Sequence, residues 1–253
     1  MKLGKTIEFF VKHISNSIIF LFRVINYKKK RIFIYTDSRG FEITKIYNKK
    51  NPFSSYVYSF IRSYKCKVFV CPEKHTTVFD FLYAYYKENK TYDFVISHIG
   101  VVDFSPRPIS DIRDILELKK KKITTVFNEE FYNSLINFKG YDTLYNNQRT
   151  SAILPESQIK IIAEKFNEIE NLLWISCNPV LLNWKGNYRK LRPDNINLVN
   201  VKSKMLIEDL KTKKIIDLTN LTPSEVKEYT CDNIHLSEKG MEFIEEKMKE
   251  LIS

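Results

Sequence analysis

Two short segments near opposite ends of the chain contain the residue types of a nucleophilic serine centre. Ser38 follows a β-branched and aromatic run, Arg31–Thr36, and Asp232 precedes His235 by three residues. At that spacing a carboxylate can hold one imidazole nitrogen, which leaves the other nitrogen free to face a serine. A serine hydroxyl is a weak nucleophile until such a base takes its proton. The chain therefore contains the groups that acyl transfer needs, provided that the fold brings them together.

Strands alternate with helices from residue 31 onward, which indicates a parallel sheet covered by helices on both faces. The predicted strands are 31–36, 67–71, 93–98, 172–176 and 215–218, and the predicted helices are 52–64, 77–89, 110–119, 155–170 and 237–252. Ligands of such sheets bind at the carboxyl ends of the strands. Ser38, Gly100 and Asn178 each follow a predicted strand. Segments 138–155 and 179–197 are predicted to be loops or lids beside a site.

The segment Thr-Asp-Ser at 36–38 and the block Asp-Asn-Ile-His at 232–235 resemble motifs of the SGNH (GDSL-like) hydrolase superfamily. That family has Gly-Asp-Ser after its first strand and Asp-x-x-His before its last helix, so Thr36 replaces a glycine here. The resemblance covers residues 31–252 and implies a three-layer α/β/α, flavodoxin-like sandwich with a parallel central sheet. It also implies Ser38 as nucleophile, His235 as general base and acid, and Asp232 as its orienting partner.

The sequence departs from this family where the oxyanion donors are expected. Residues 41–99 contain no glycine, and the block Gly-Val-Val-Asp at 100–103 has Val102 where the family has an asparagine. Loss of one such donor typically costs about 2.7–4 kcal/mol of transition-state stabilisation. Either another group replaces the missing donor, or the protein is a slow enzyme or an inactive one. The candidate donors are the backbone N–H of Gly100 and the side chains of Asn178, Arg39 and His98.

The chain is strongly basic, with 41 Lys and Arg against 30 Asp and Glu and a net charge of +11. This charge fits either an ordinary solvated surface or a field that attracts a polyanion such as an acidic glycan. Trp184 stands in a basic segment with Lys185, Arg189, Lys190 and Arg192, and it is a candidate to stack on a sugar ring. No nucleic-acid recognition motif is present, so no specific nucleic-acid partner is expected. The four cysteines form no CxxC pair, which predicts a reduced chain without a metal site.

Residues 1–30 are predicted to be an appendage to a single catalytic domain, 31–253. An apolar stripe with helical spacing runs through residues 7–25, and a basic run, 28–31, follows it. An amphipathic helix with a basic flank can lie on an anionic lipid interface. Alternatively, the helix packs on its own domain or on a partner subunit. The segment 5–31 is therefore a candidate contact with a membrane or a polysaccharide assembly complex.

Together with the resemblance, these patterns favour acyl-ester chemistry on carbohydrate. The first hypothesis is an O-acetyltransferase that modifies a bacterial capsular or lipopolysaccharide glycan, with acetyl-CoA as donor substrate and no permanently bound cofactor. Lack of an export signal and the cysteine usage predict a cytoplasmic protein, either free or peripheral at the inner face of the membrane. The alternatives are a carbohydrate acetylesterase of the same fold and a catalytically degenerate scaffold.

Overall fold

The computed structural model describes residues 2–45, 48–188 and 192–252. Within them, eight strands occur in the order β1 (Arg31–Thr36), β2 (Lys65–Val70), β3 (Phe94–His98), β4 (Arg107–Pro108), β5 (Thr143–Tyr145), β6 (Gln148–Ser151), β7 (Leu172–Ile175) and β8 (Ile215–Ile216). Five of them form one sheet in the order β2-β1-β3-β7-β8, with every neighbouring pair parallel. This is the flavodoxin-like order, in which ligands bind where the winding reverses, beside the ends of β1 and β3.

Ten helices accompany the strands in the described part of the chain. They are α1 (Lys2–Ile25), α2 (Val57–Ser63), α3 (Val78–Glu88), α4 (Val101–Phe104), α5 (Ile109–Val126), α6 (Glu129–Ile136), α7 (Glu156–Asn167), α8 (Leu198–Asp209), α9 (Pro223–Tyr229) and α10 (Glu238–Ile252). Buried residues of α1, α2 and α10 share one hydrophobic core, and those of α3, α5, α6, α7 and α8 share the other. The predicted three-layer sandwich with a parallel central sheet is confirmed.

The strand β1 illustrates why both faces of the sheet must be covered. Its residues Ile32 and Ile34 belong to the core that contains α2 and α10, whereas Phe33 and Tyr35 belong to the opposite core. All four are at most 1% exposed. Successive side chains of a strand point to opposite faces, so a run of apolar residues without polar alternation fits only a sheet buried on both sides.

A second, antiparallel sheet has the order β4-β6-β5, and two of its strands, β5 and β6, come from the segment predicted to be a loop or lid, 138–155. It is tied to α8, which the sequence pattern did not predict. The inward positions of α8 include Lys202, which is buried and lies 3.0 Å from the Asp142 carboxylate. A charged residue on the buried face interrupts the apolar stripe of α8, so the hydrophobic periodicity of the sequence does not predict this helix.

Helix α5 continues to Val126, seven residues beyond its predicted end at 119. The extension runs through the lysine block 119–122, and lysine is a good helix former. Lys119 is only 3% exposed, and its Nζ lies 2.8 Å from the buried Asp80 carboxylate. Lys122, one turn later, lies 2.6 Å from the same carboxylate. This lysine block is therefore partly an internal ion-pair cluster rather than only a solvated surface.

In the described ranges, no helix is both long enough and apolar enough to span a bilayer.

Candidate functional site

Ser38 occupies a tight turn directly after β1, which lies between β2 and β3 in the main sheet. The turn is a single 3-10 turn, Ser38–Gly40, and the Asp37 side chain caps it by accepting from the Arg39 N–H at 2.9 Å. The backbone N–H of Asp37 donates to the carbonyl of His98 at 2.9 Å, which ties the turn to the end of β3. These bonds place Ser38 at the carboxyl edge of the sheet, with its side chain partly exposed.

Gly40 allows this turn to lie flat against the end of β1. A Cβ on Gly40 would lie 2.0 Å from Oγ1 and 2.5 Å from Cβ of Thr36. Both distances are far below van der Waals contact, so no larger residue fits while Thr36 keeps its place. Thr36 stands where the SGNH motif has a glycine. The side chain of Thr36 therefore occupies the space beside position 40.

The structure brings His235 to Ser38 from the loop before α10. His235 Nε2 lies 2.9 Å from Ser38 Oγ, and His235 Nδ1 lies 2.9 Å and 3.1 Å from the two carboxylate oxygens of Asp232. Asp232 also accepts from the backbone N–H groups of Ile234 and His235, at 3.1 Å and 2.8 Å. Burial acts to raise the pKa of Asp232, but the hydrogen bonds and charge of His235 and these N–H groups outweigh it, so the pKa is lowered.

This arrangement determines which ring nitrogen of His235 carries the proton in the neutral imidazole. An ionised carboxylate can only accept, so Nδ1 of His235 donates its hydrogen to Asp232. Nε2 is then unprotonated and accepts from the Ser38 hydroxyl. The three side chains form a continuous hydrogen-bonded chain in which Ser38 can lose its proton to a positioned base.

Asn233 holds the segment that carries Asp232 and His235, a role that the sequence motifs do not indicate. It is fully buried with φ of 75°, and its Oδ1 accepts from the Leu181 N–H at 2.8 Å. Its Nδ2 donates to the carbonyl of Leu181 at 3.0 Å and to the carbonyl of Trp184. Asparagine tolerates the left-handed region better than most residues, and this preference is the local signal that could have identified it.

Segment 181–187 therefore acts as a clamp on the loop that carries His235. In addition to the Asn233 bonds, the Asn187 N–H donates to the carbonyl of Cys231 at 2.7 Å. Gly186 lies so close that a Cβ there would be 2.3 Å from the same carbonyl oxygen. The predicted sugar-binding residue Trp184 is half-buried in this clamp, next to the candidate site. Part of the predicted loop 179–197 thus has a positioning role.

Arg192, from the basic segment around Trp184, contacts the carboxylate of the candidate site. Its Nη2 donates to Asp232 Oδ2 at 3.2 Å, and its guanidinium lies 3.7 Å from the ring centroid of Tyr188. Its side chain is 15% exposed. Arg192 therefore serves as a further donor to Asp232. Residues Arg189 and Lys190, which belong to the same predicted basic segment, lie outside the described residues.

Two of the predicted oxyanion donors, Arg39 and Asn178, have other hydrogen-bond partners in the structure. The buried guanidinium of Arg39 donates to the Asp37 carboxylate, with Nη2 at 2.9 Å, and to the carbonyl of Ser176 at 3.0 Å. Burial acts to lower the pKa of Arg39, but Asp37 outweighs it and the pKa is raised, so this ion pair is retained. Asn178 donates both amide hydrogens, to the carbonyls of Pro179 and Asn233 at 2.7 Å and 2.9 Å. Like the clamp, Asn178 thus helps to hold the segment that contains Asn233.

The third candidate side chain, His98, is fully buried at the end of β3. Its Nδ1 lies 2.7 Å from the hydroxyl of Tyr56, and burial, followed by the charge of Arg39, lowers the pKa of His98 well below its ordinary value. The ring is 0% exposed, so it does not reach the surface at which a substrate would bind. The side chain of His98 is therefore part of the buried interior that supports the Ser38 turn, and it is not part of the exposed surface of the site.

Gly100 is the remaining candidate donor. It begins α4 with φ of 118°, a conformation that favours glycine, and a Cβ there would lie 3.0 Å from the Phe104 ring. No hydrogen bond from the N–H of Gly100 or of Ser38 is found within the described part of the chain. Both groups belong to loops that follow the neighbouring strands β3 and β1.

Comparisons with known proteins return structural matches only. No protein-family model and no curated protein sequence matches this chain. Among solved structures it is similar to the acetyl xylan esterase AlAXEase, at 14% identity and a TM-score of 0.45, over 88% of this chain and 100% of that one. It is also similar to LAE5, an alpha/beta hydrolase from the metagenome of Lake Arreo, Spain, at 12% identity and a TM-score of 0.42, over 88% and 94%.

A third similar structure is a catalytic mutant of Axe2, an acetylxylan esterase from Geobacillus stearothermophilus. The identity is 14% and the TM-score 0.41, over 88% of this chain and 94% of that one. Values this low describe a distant likeness of the chain path, so the functional proposal depends on the side-chain geometry of this protein.

Proposed function

We propose that this chain is a serine enzyme that makes or breaks acyl esters on carbohydrate hydroxyls, and that it belongs to the SGNH type. The observation that carries the proposal is the continuous hydrogen-bonded chain from Asp232 through His235 to Ser38, with both links to the imidazole at 2.9 Å. Nucleophile, base and orienting carboxylate are the three roles that acyl transfer through serine requires.

In the proposed reaction, His235 Nε2 accepts the Ser38 proton while Ser38 Oγ attacks the carbonyl carbon of an ester or thioester. The tetrahedral intermediate then collapses, His235 returns the proton to the leaving alcohol or thiol, and the acyl group stays on Ser38. A second hydroxyl attacks the acyl-serine, giving its proton to His235. His235 returns that proton to Ser38 Oγ, and the free enzyme is restored. Asp232 stabilises the imidazolium in both halves of the cycle.

The negative charge of each tetrahedral intermediate needs hydrogen-bond donors aimed at it. We assign this role to the backbone N–H groups of Ser38 and Gly100, since the side chains of Arg39 and Asn178 already donate elsewhere. Backbone donors need no particular side chain, so Val102 in place of the family asparagine is compatible with an active enzyme.

The second hydroxyl decides the type of enzyme. Water as acceptor makes it a carbohydrate acetylesterase, and a sugar hydroxyl with acetyl-CoA as donor makes it an O-acetyltransferase. We favour an anionic glycan as the carbohydrate, because the chain has a net charge of +11 and the clamp that bonds Asn233 contains the half-buried Trp184 and the exposed Lys185. A capsular or lipopolysaccharide glycan has this chemistry.

A fluorophosphonate probe, which reacts only with an activated serine, tests the proposal. The wild type should be labelled at Ser38, Ser38→Ala and His235→Ala should lose labelling, and the exposed-serine control Ser110→Ala should keep it. Wild-type protein that is folded but unlabelled would instead indicate a degenerate scaffold.

Proton NMR of acyl groups on candidate polysaccharides then separates the two enzyme types. New O-acetyl signals that require acetyl-CoA identify a transferase. Release of acetate from an acetylated glycan without acetyl-CoA identifies an esterase.

A further inference from the structure

One line of residues holds helix α1 to the domain. Ser15, Ile19 and Asn26 are buried on this line, each less than 10% exposed. The Asn26 side chain donates to the carbonyls of Ile61, Arg62 and Tyr64 at 3.3, 2.9 and 3.2 Å, where α2 ends. Ile19 belongs to the hydrophobic core under α2 and α10. These contacts fix which face of α1 points away from the protein.

The outward face of α1 is apolar, the reverse of an ordinary surface helix. Asn16 is exposed at the edge of this face, whose exposed members from residue 10 onward are Phe10, His13, Ile14, Ser17, Phe20, Leu21, Val24 and Ile25. Six of these eight are large apolar residues, exposed from 53% for Val24 to 65% for Phe20. A contiguous apolar patch of this kind on a folded protein marks an interaction surface.

A cationic segment continues this face at the end of α1. Lys28, Lys29, Lys30 and Arg31 follow α1 after two intervening residues, and all four are exposed. Lysines beside a lipid surface are attracted to anionic headgroups. The apolar face and the cationic run thus present the two features that an anionic bilayer interface recognises.

We propose that the outward face of α1 lies flat on an anionic lipid surface, with its apolar side chains between the acyl chains and residues 28–31 against the headgroups. Residues 10–25 of this helix span roughly 24 Å, so one face can insert over that length while the opposite line stays on the domain. A second copy of the chain fits this face less well, because each copy carries a net charge of +11 and the two would repel. The proposal is independent of the chemistry at Ser38.

Vesicle flotation of the full-length chain tests the proposal, with phosphatidylcholine vesicles compared with phosphatidylcholine–phosphatidylglycerol vesicles. The wild type should bind the anionic vesicles at least about tenfold more strongly, and added salt should weaken the binding. Leu21→Ser with Ile25→Ser should abolish it. The matched control is Leu118→Ser with Val201→Ser, since these residues are 69% and 48% exposed on other helices. This control should bind like the wild type.

A charge variant keeps the test decisive if the apolar variant misfolds. Lys28→Gln, Lys29→Gln and Lys30→Gln together should weaken anionic binding about tenfold or more, whereas the same change at the exposed Lys121, Lys204 and Lys213 should not. Equal binding to both vesicle types, or equal loss in variants and controls, would overturn the proposal. No vesicle binding would overturn it as well. A dimer in light scattering that Leu21→Ser with Ile25→Ser dissociates would then assign the face to a second copy.

Discussion

The Nε2 atom of His235 lies 2.9 Å from Oγ of Ser38, although 197 residues separate the two along the chain. A turn at the end of strand β1 positions Ser38. Hydrogen bonds from segment 181–187 position the loop that carries His235. Their approach therefore depends on two separate sets of contacts, and each set can be tested by itself.

The first prediction concerns the reacting groups. Ser38→Ala and His235→Ala should each lower the turnover of p-nitrophenyl acetate by about 10³-fold or more, while the melting temperature changes little because both side chains are partly exposed. Asp232→Asn should reduce turnover less than His235→Ala if Asp232 only orients the imidazole. Unchanged turnover in Ser38→Ala would remove it as the nucleophile.

The second prediction concerns the space shared by Thr36 and Gly40. Gly40→Ala should reduce turnover strongly, because its Cβ would lie 2.0 Å from Thr36 Oγ1 and push the Ser38 turn away from His235. Thr36→Gly should relieve the collision, so the double variant should be more active than Gly40→Ala alone. A double-mutant cycle on turnover measures this coupling, and additive effects would contradict it.

The third prediction concerns Asn233. Asn233→Ala should lower the free energy of unfolding by about 2–4 kcal/mol and also reduce turnover, since it removes buried hydrogen bonds and leaves an alanine at φ of 75°. Asn147→Ala is the matched control, because Asn147 has φ of 60° on the exposed surface. Chemical denaturation of both variants provides the comparison. Equal losses would mean that backbone strain alone, and not the clamp, accounts for the effect.

The fourth prediction separates Arg192 from Lys185. Arg192 donates to Asp232 at 3.2 Å, so Arg192→Gln should reduce kcat several-fold with little change in KM. Lys185 is exposed in the clamp, so Lys185→Gln should raise KM for an anionic acceptor and leave kcat unchanged. Steady-state kinetics with charged and neutral acceptors distinguish the two outcomes. A change only in KM for Arg192→Gln would place that residue on the substrate instead.

The fifth prediction concerns pH and the buried Asp103. Burial raises the pKa of Asp103 to about 8, although its carboxylate accepts the Val78 N–H at 3.0 Å. The unfolded chain loses this proton near pH 4, so the folded state holds more protons between about pH 4 and 8 and stability falls as pH rises through that window. Asp103→Asn, which cannot ionise, should therefore show a flatter dependence of Tm on pH. Parallel slopes for the two proteins would exclude Asp103 as the cause.

The sequence by itself determined the elements that repeat a simple pattern. The strand Arg31–Thr36 has its predicted bounds, and the five strands of the main sheet were all expected, because buried parallel strands are apolar on both faces. The Asp-x-x-His spacing also determined that Asp232 could reach His235, since residues three apart at a tight turn are close in space. Helix α8 escaped prediction because its buried Lys202 pairs with Asp142, a partner 60 residues away.

Only the tertiary structure decided which side chains are free to act. Arg39 and Asn178 each follow a strand at the edge of the sheet where ligands bind. In the fold, Arg39 donates to Asp37 and to the carbonyl of Ser176, and Asn178 donates to the carbonyls of Pro179 and Asn233. The sequence does not show that Ser176 and Asn233 would be these partners. The apolar stripe of α1 is evident from the sequence. Whether the stripe faces the domain or the solvent depends on the hydrogen bonds that Asn26 makes with the end of α2. Periodicity is a local property of the chain, whereas a hydrogen-bond partner depends on which distant segment the fold brings near.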